Sequence, residues 1–352
     1  METDMPQVVV ITGATAGVGR ATARAFARRK ARIGLLARGV DRLTATAAEV
    51  EAAGGKALAL PTDVADAEAV ERAAEAVERQ LGPIDIWINC AMATIFAPVH
   101  EIDADEYRRA TEVTYLGFVY GTMAALRRMR PRNRGTIVQV GSALAYRSIP
   151  LQAPYCGAKH AILGFTASLR TELMHEGSGV HVTMVQMPAL NTPQFDWARN
   201  KMPRRPQPVP PIFEPEVAAE AIVFAAYARR REVFVGGSTV AAIIGNRLAP
   251  GLLDRYLAHS GYRGQLTQEA NPGGPDNLFA PIAGDHGAHG RFGALAHRKS
   301  AELWMVRHRG LLAAGLVALV GTMLAAWPSR VAARVQSRQG ALGQRVIDAV
   351  QD

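Results

Sequence analysis

The chain is short of several things that would point elsewhere. Two cysteines, Cys90 and Cys156, in 352 residues are too few for a disulfide framework. Neither sits in a Cys/His cluster, so no metal site is expected. Asp285-His286-Gly287-Ala288-His289 puts two histidines and a carboxylate in a glycine-rich stretch and reads as a solvated loop. Aromatics make up only 6% of the residues. The basic C-terminal segment has none of the interleaved aromatics expected of a nucleic-acid surface, so nucleic acid is not an expected partner. Lysine is scarce, five against thirty-five arginines. The net charge is +9.

One of the five lysines, Lys159, lies four residues after Tyr155 in Tyr-Cys-Gly-Ala-Lys. That spacing puts both side chains on one helix face. An isolated phenol titrates near ~10 and an isolated lysine near ~10.4. A cation beside a phenol favours the phenolate, so the pair reads as a proton-transfer device for an alcohol or carbonyl. Ser142 follows the apolar run 136–141, where its hydroxyl can polarise the same oxygen. Taken alone, a helix-surface pair beside an unrelated serine explains these residues as well.

Near the N-terminus, Val8-Val9-Val10-Ile11 reads as a buried parallel strand. It runs into Thr12-Gly13-Ala14-Thr15-Ala16-Gly17-Val18-Gly19 and then an amphipathic segment from Arg20 to Lys30. Strand, glycine-rich turn and helix form the context that a dinucleotide pyrophosphate needs. Further strands are expected at 32–37, 84–88, 180–185 and 233–235, and a helix at 215–230. This alternation predicts an α/β fold, a doubly wound parallel sheet of the Rossmann type. Six prolines across 203–215 predict a stiff, extended segment over the substrate side rather than a helix.

These motifs together resemble the short-chain dehydrogenase/reductase family over roughly residues 6–245. The matching pieces are Thr12 to Gly19, Asp63-Val64, Asn89-Cys90-Ala91-Met92, Ser142 with Tyr155 and Lys159, and Pro188-Ala189 with Thr192. The resemblance implies hydride transfer between a nicotinamide and a carbonyl or alcohol. Tyr155 is then the general acid/base, Lys159 lowers its pKa and holds the nicotinamide ribose, and Ser142 bonds the substrate oxygen. Gly13, Thr15, Gly17, Val18, Gly19, Ala91 and Pro188 line the cofactor, with Thr192 on its carboxamide. Asp63 bonds the adenine, Val64 packs on it, and Asn89 anchors either a cofactor ribose or the strand end. Two positions depart from the family pattern. Thr114 stands where an asparagine usually completes the catalytic tetrad, and Met92 replaces a glycine. A non-catalytic, NADP(H)-sensing binding protein is the alternative these departures raise. The second strand ends in Ala37-Arg38, without the acid that holds a ribose 2′-hydroxyl. A guanidinium there suits a 2′-phosphate, which favours NADP(H). Arg20 is a second candidate or a solvated arginine. By resemblance, a homodimer or homotetramer is expected.

The rest of the chain divides into an extension and flexible linker at 246–303, a membrane-anchoring helix within 304–330 and a basic tail at 331–352. The anchor rests on residues 310–327, eighteen positions without a charge. At ~1.5 Å per residue they reach roughly 27 Å, close to the ~30 Å of a bilayer core. Trp304 and Trp327 lie near the two ends. Residues 291–352 carry nine Lys/Arg and three Asp/Glu, which is +6 of the +9, and membrane lipid is the partner this suits. The first strand begins within eight residues of the start, which leaves no room for a signal peptide. A membrane-associated protein with a cytoplasmic catalytic domain is the expectation.

Overall fold

The structure is a computed structural model, and it describes residues 7–312 together with 314, 315, 317, 318 and 322. Seven strands form one parallel sheet: β1 (Val8–Thr12), β2 (Arg32–Ala37), β3 (Lys56–Pro61), β4 (Ile86–Asn89), β5 (Gly135–Val140), β6 (Val180–Gln186) and β7 (Glu232–Phe234). Their order is β3-β2-β1-β4-β5-β6-β7. β1 pairs with β2 on one side and β4 on the other. The strand order therefore reverses beside β1, and the crevice at its C-terminal end is where such sheets bind ligands. Val8 to Ile11 are all fully buried, which explains an apolar run without alternation.

Helices cover both faces: α1 (Gly17–Ala27), α2 (Val40–Ala52), α3 (Ala67–Leu81), α4 (Ala104–Thr111), α5 (Gly117–Met129), α6 (Ala153–His175) and α7 (Pro215–Tyr227). Asp66 caps α3 by accepting from the Glu68 and Ala69 amides. Between α4 and α5, residues Glu112–Leu116 form a π-helical turn with Thr114 at its centre. The expected α/β sheet, and the strands and helix placed in it from sequence, are all present.

The proline-rich segment is extended, as its composition requires. Arg204–Pro206 pairs antiparallel with Leu266–Ala270, and Ile212–Phe213 runs between Ala189–Leu190 and Ala296–His297. These pairings tie the extension to the sheet domain. The described residues of 246–303 cluster by contact with the sheet domain in one compact unit. Two helices, α8 (Gly237–Leu248) and α9 (Pro250–Gly264), continue from β7. The segment 271–293 has the composition of a linker, yet its carbonyls and Asp285 take hydrogen bonds from arginines of the sheet domain. Composition alone did not register those arginines.

A second unit comprises 304–352. Most of the apolar run 310–327 and all of the tail 331–352 lie outside the described residues. Among the described residues, no helix is long and apolar enough to cross a membrane.

Candidate active site

At the C-terminal edge of the sheet lies a cavity of about 510 Å³. One wall is the glycine turn between β1 and α1, and the opposite wall carries Ser142, Tyr155 and Lys159. The turn is built for close backbone approach. A Cβ on Gly19 would stand 2.2 Å from the Gly13 carbonyl oxygen, and one on Gly13 would stand 2.7 Å from the Ala91 Cα. Gly13 also has φ +67°, which favours glycine. The Thr12 hydroxyl accepts from the Cys90 and Ala91 amides at 3.0 and 3.2 Å, fixing the β4 end against the turn. Thr15, Gly17, Val18, Asp63, Val64, Ala91, Pro188 and Thr192 all line the same cavity. This cradle fits a dinucleotide.

Tyr155 and Lys159 occupy the first turns of α6, whose start is set by Pro154. Lys159 is 2% exposed. Its Nζ donates to the Val140 carbonyl at 2.7 Å and lies 5.4 Å from the Tyr155 ring centre. Ser142 Oγ accepts from the Leu144 amide at 3.1 Å, which orients it at the end of β5. Burial pushes the Tyr155 phenol above its usual range, and the Ser142 hydrogen bond pulls the other way. Burial lowers Lys159 to about 8. The expectation from charge alone, a phenol brought down by its lysine, is thus outweighed by desolvation of both groups. Cys90, also at the cavity, is raised to about 12 by the same burial.

Three of the sequence-predicted residues, Asn89, Thr114 and Arg20, do not line the cavity. Asn89 is fully buried and works inside the sheet. Its Nδ2 donates to Gln139 Oε1 at 2.9 Å and Thr122 Oγ1 at 3.1 Å, while its Oδ1 accepts from Trp87 Nε1 at 2.8 Å. These bonds tie the end of β4 to β5 and α5. A Cβ at Gly121 would fall 2.2 Å from Asn89 Oδ1, so α5 needs glycine there to approach. Thr114 is likewise fully buried, its hydroxyl accepting from the Ala93 amide and donating to the Ala93 carbonyl, both at 2.9 Å. It braces the segment after β4. Met92 does line the cavity.

Arg38 lines the cavity at the end of β2, but its guanidinium already donates to main-chain carbonyls of Asn277, Leu278 and Phe279. Arg20 is buried against Glu49 and Asp285, which raises its pKa. Asp63 pairs with Arg109 and accepts from the Ala65 amide at 3.0 Å.

Several lining residues lie beyond the reach of the motifs. Gln152 donates to Gln265 at 2.8 Å, and Gln265, fully buried, donates in turn to the Pro150 and Gly261 carbonyls. Tyr256 and Leu257 of α9 and Val209 of the proline-rich segment complete the apolar side. Only the apolar spacing of 252–257 hints at them in the sequence. Away from the cavity, Glu214, Glu216 and His289 bring three potential ligand atoms within 4.8 Å of one another. Asn191 binds Glu214, while Arg24 and His289 bind Glu216.

Comparison with known proteins agrees with this geometry. The model of the short chain dehydrogenase family matches residues 7–202. An uncharacterized oxidoreductase, YxnA, of Bacillus subtilis (strain 168) is 32% identical over 283 residues, 80% of either chain. The cis-4-hydroxycyclohexanecarboxylate dehydrogenase of Sinomonas cyclohexanicum is 34% identical over 227 residues, covering 62% of this chain and 89% of its own. The crystal structure of a short chain dehydrogenase/reductase from Burkholderia phymatum in complex with NAD superposes with a TM-score of 0.65. That match spans 72% of this chain and 97% of the other at 22% identity, and so speaks for the fold alone. The chain belongs to the short-chain dehydrogenase family, oxidoreductases that move a hydride between a nicotinamide cofactor and a CH–OH or C=O group.

Proposed function

We propose that this protein is an NADP(H)-dependent oxidoreductase acting on a lipophilic carbonyl or alcohol. The observation that carries the reading is the single cavity shared by the glycine turn and by Ser142, Tyr155 and Lys159. A bound nicotinamide supplies the hydride in reduction and accepts it in oxidation. In reduction, the Tyr155 hydroxyl gives its proton to the substrate oxygen, and in oxidation it takes the proton back. Ser142 hydrogen-bonds that oxygen and offsets the charge developing on it. Lys159, beside the ring, stabilises the phenolate left behind and holds the nicotinamide ribose. Thr192 holds the carboxamide. Arg38 supports the phosphorylated cofactor through the charge of its guanidinium.

Support for a lipophilic substrate comes from an apolar border of the cavity, where Tyr256 and Val209, 63% and 42% exposed, line it beside Leu257. A rat relative, 17-beta-hydroxysteroid dehydrogenase 13, is 30% identical over 230 residues, 65% of this chain and 74% of its own. Its name gives it a hydroxysteroid substrate, and a bulky apolar alcohol suits this border as well. The uncharged run 310–327 supports a membrane tether, with the catalytic unit on the cytoplasmic face. Pairing into a dimer or tetramer rests on family resemblance.

Purified full-length protein, mixed with NADPH and a panel of aldehydes, ketones and quinones of increasing chain length, tests the reading. Turnover that rises with chain length and falls about 10²–10⁴-fold in Tyr155→Phe is expected. Turnover equal in Tyr155→Phe would refute the acid/base role. The alternative, a non-catalytic NADP(H)-sensing protein, draws on Thr114, whose hydroxyl is spent on Ala93. Cofactor binding without turnover of any substrate would favour it.

A further inference from the structure

The C-terminal extension meets the sheet domain where an NADP(H) 2′-phosphate is expected, and its contacts there are unusual. Four arginines from four elements converge on residues 277–285. Arg38, after β2, donates to the Phe279 carbonyl at 3.0 Å and to those of Leu278 and Asn277. Arg42 of α2 donates to the Ile282 carbonyl and lies over the Trp197 ring. Arg109 of α4 donates to the Leu278 carbonyl at 3.1 Å. Arg20 of α1 binds the Asp285 carboxylate at 2.9 Å.

The segment is also anchored. Leu278 is fully buried in a core cluster with Val64, Ala93, Ala110 and Val113. Asn277 and Pro281 line the same cavity as Arg38, Asp63 and Val64. The Asn277 Oδ1 is buried without a hydrogen-bond partner.

We infer that residues 277–285 are a built-in competitor for the 2′-phosphate and set the choice between NADP(H) and NAD(H). The inference rests on the reading of Arg38 as the phosphate-binding residue. Main-chain carbonyls and a carboxylate are acceptors carrying negative charge or partial charge. They satisfy the arginines and repel a phosphate of ~−1.5 to −2 charge. A ribose 2′-hydroxyl, in contrast, donates to such acceptors. The strap therefore suits NAD(H) while it is seated, and the phosphorylated cofactor must lift it from Arg38. NADP(H) affinity is accordingly reduced by the cost of that release, and NAD(H) affinity is not.

The test uses the full chain and reads binding rather than turnover. NADPH and NADH are titrated separately into the wild type, Asp285→Ala, Leu278→Ala and Arg38→Ala, followed calorimetrically. Asp285 is a surface residue, so its variant stays folded even if Leu278→Ala does not. Asp285→Ala is expected to tighten NADPH about threefold to fivefold, the scale of one half-exposed ion pair, with NADH changed less than twofold. Hydrogen exchange of amides 277–285 in the wild type is expected to rise with NADPH and not with NADH. If both strap variants leave the NADPH-to-NADH ratio unchanged while Arg38→Ala weakens NADPH, the inference fails and the NADP(H) reading stands. If the strap variants weaken both cofactors alike, the segment is part of the adenosine site and the inference also fails. If Arg38→Ala leaves NADPH affinity untouched, both fail together.

Discussion

The two ends of the cavity solve the problem of buried polar groups in opposite ways. At the catalytic end the ionisable groups are few, and burial leads the shift at each: Tyr155 and Cys90 are raised, and Lys159 is lowered to about 8. At the other end, lined by Arg38, Arg42 and Asp63, the charges are many: burial lowers Arg38 and Arg42, and outside the lining Arg20 and Asp285 form an ion pair. Arg20 is raised and Asp285 lowered, each held by the other. At the catalytic end, Lys159 is brought towards a protonation change near neutral pH, while Tyr155 and Cys90 are held in their protonated forms. The Arg20–Asp285 pair is locked by its hydrogen bonds and fixes residue 285 against α1. The contrast separates chemistry from recognition within one crevice.

The largest expected effect breaks the catalytic end alone. Ser142→Ala removes the hydroxyl proposed to bond the substrate oxygen, and kcat is expected to fall about 10²–10³-fold. Cofactor affinity, measured in the same preparation, should stay within about twofold. A matching loss of cofactor affinity would show that the two ends are not separable. Next comes a substitution that breaks the other end. Gly19→Ala puts a Cβ 2.2 Å from a main-chain oxygen that cannot move freely. NADH and NADPH binding should both weaken at least tenfold, on the order of the ~1–3 kcal/mol that overpacking costs. A calorimetric titration with unchanged affinity would contradict the tight-turn account.

How much of this was readable beforehand differs between the same two ends. The catalytic end was legible because its residues sit at fixed offsets within single elements. Tyr155 and Lys159 share one helix, and Ser142 ends one strand. The glycine turn was legible for the same reason. The adenosine end was legible only on one side. Arg38 follows from the end of β2, but its partners are main-chain carbonyls some 240 residues later. Backbone carbonyls leave no signature in a sequence, and 271–293 has the glycine and proline content of a linker. Asn89 was placed at the right strand end. Its network needed Thr122 and Gln139, which lie on other elements. Thr114 was identified by its offset from the family pattern, while its bond to Ala93 depends on the π-helical turn.

A smaller effect probes the support beneath both ends. Asn89→Ala leaves Trp87 Nε1 without its acceptor and Gln139 Oε1 without its donor, all inside the sheet. A loss of about 2–3 kcal/mol of stability is expected, the cost of unsatisfied buried groups. Chemical denaturation measures it, and a loss below ~0.5 kcal/mol would mean that water replaces the network.

The smallest expected effect is in the pH dependence of stability, and it has opposite signs at the two ends. A lysine titrates at 10.5 when unfolded, while Lys159 is lowered to about 8 in the fold. Below pH 8 the folded state therefore carries the full penalty of a buried ammonium. Between 8 and 10.5 the unfolded chain binds more protons than the folded one, so stability rises with pH and the penalty fades. Lys159→Met should thus be more stable than the wild type at pH 7, by a margin that shrinks from pH 8 towards 10.5. Asp285 runs the other way. Its hydrogen bond with Arg20 holds the carboxyl below the usual 3.8. The contribution is present above that value and is lost as the pH falls through the folded pKa. Asp285→Asn should therefore lower Tm at neutral pH and converge with the wild type only in acid. Thermal melts of the three cofactor-free proteins across pH 3–10.5 read both margins. If the Lys159→Met margin narrows in acid, or the Asp285→Asn margin narrows in alkali, the assignment of the Lys159 shift to desolvation or of the Asp285 shift to pairing with Arg20 is wrong.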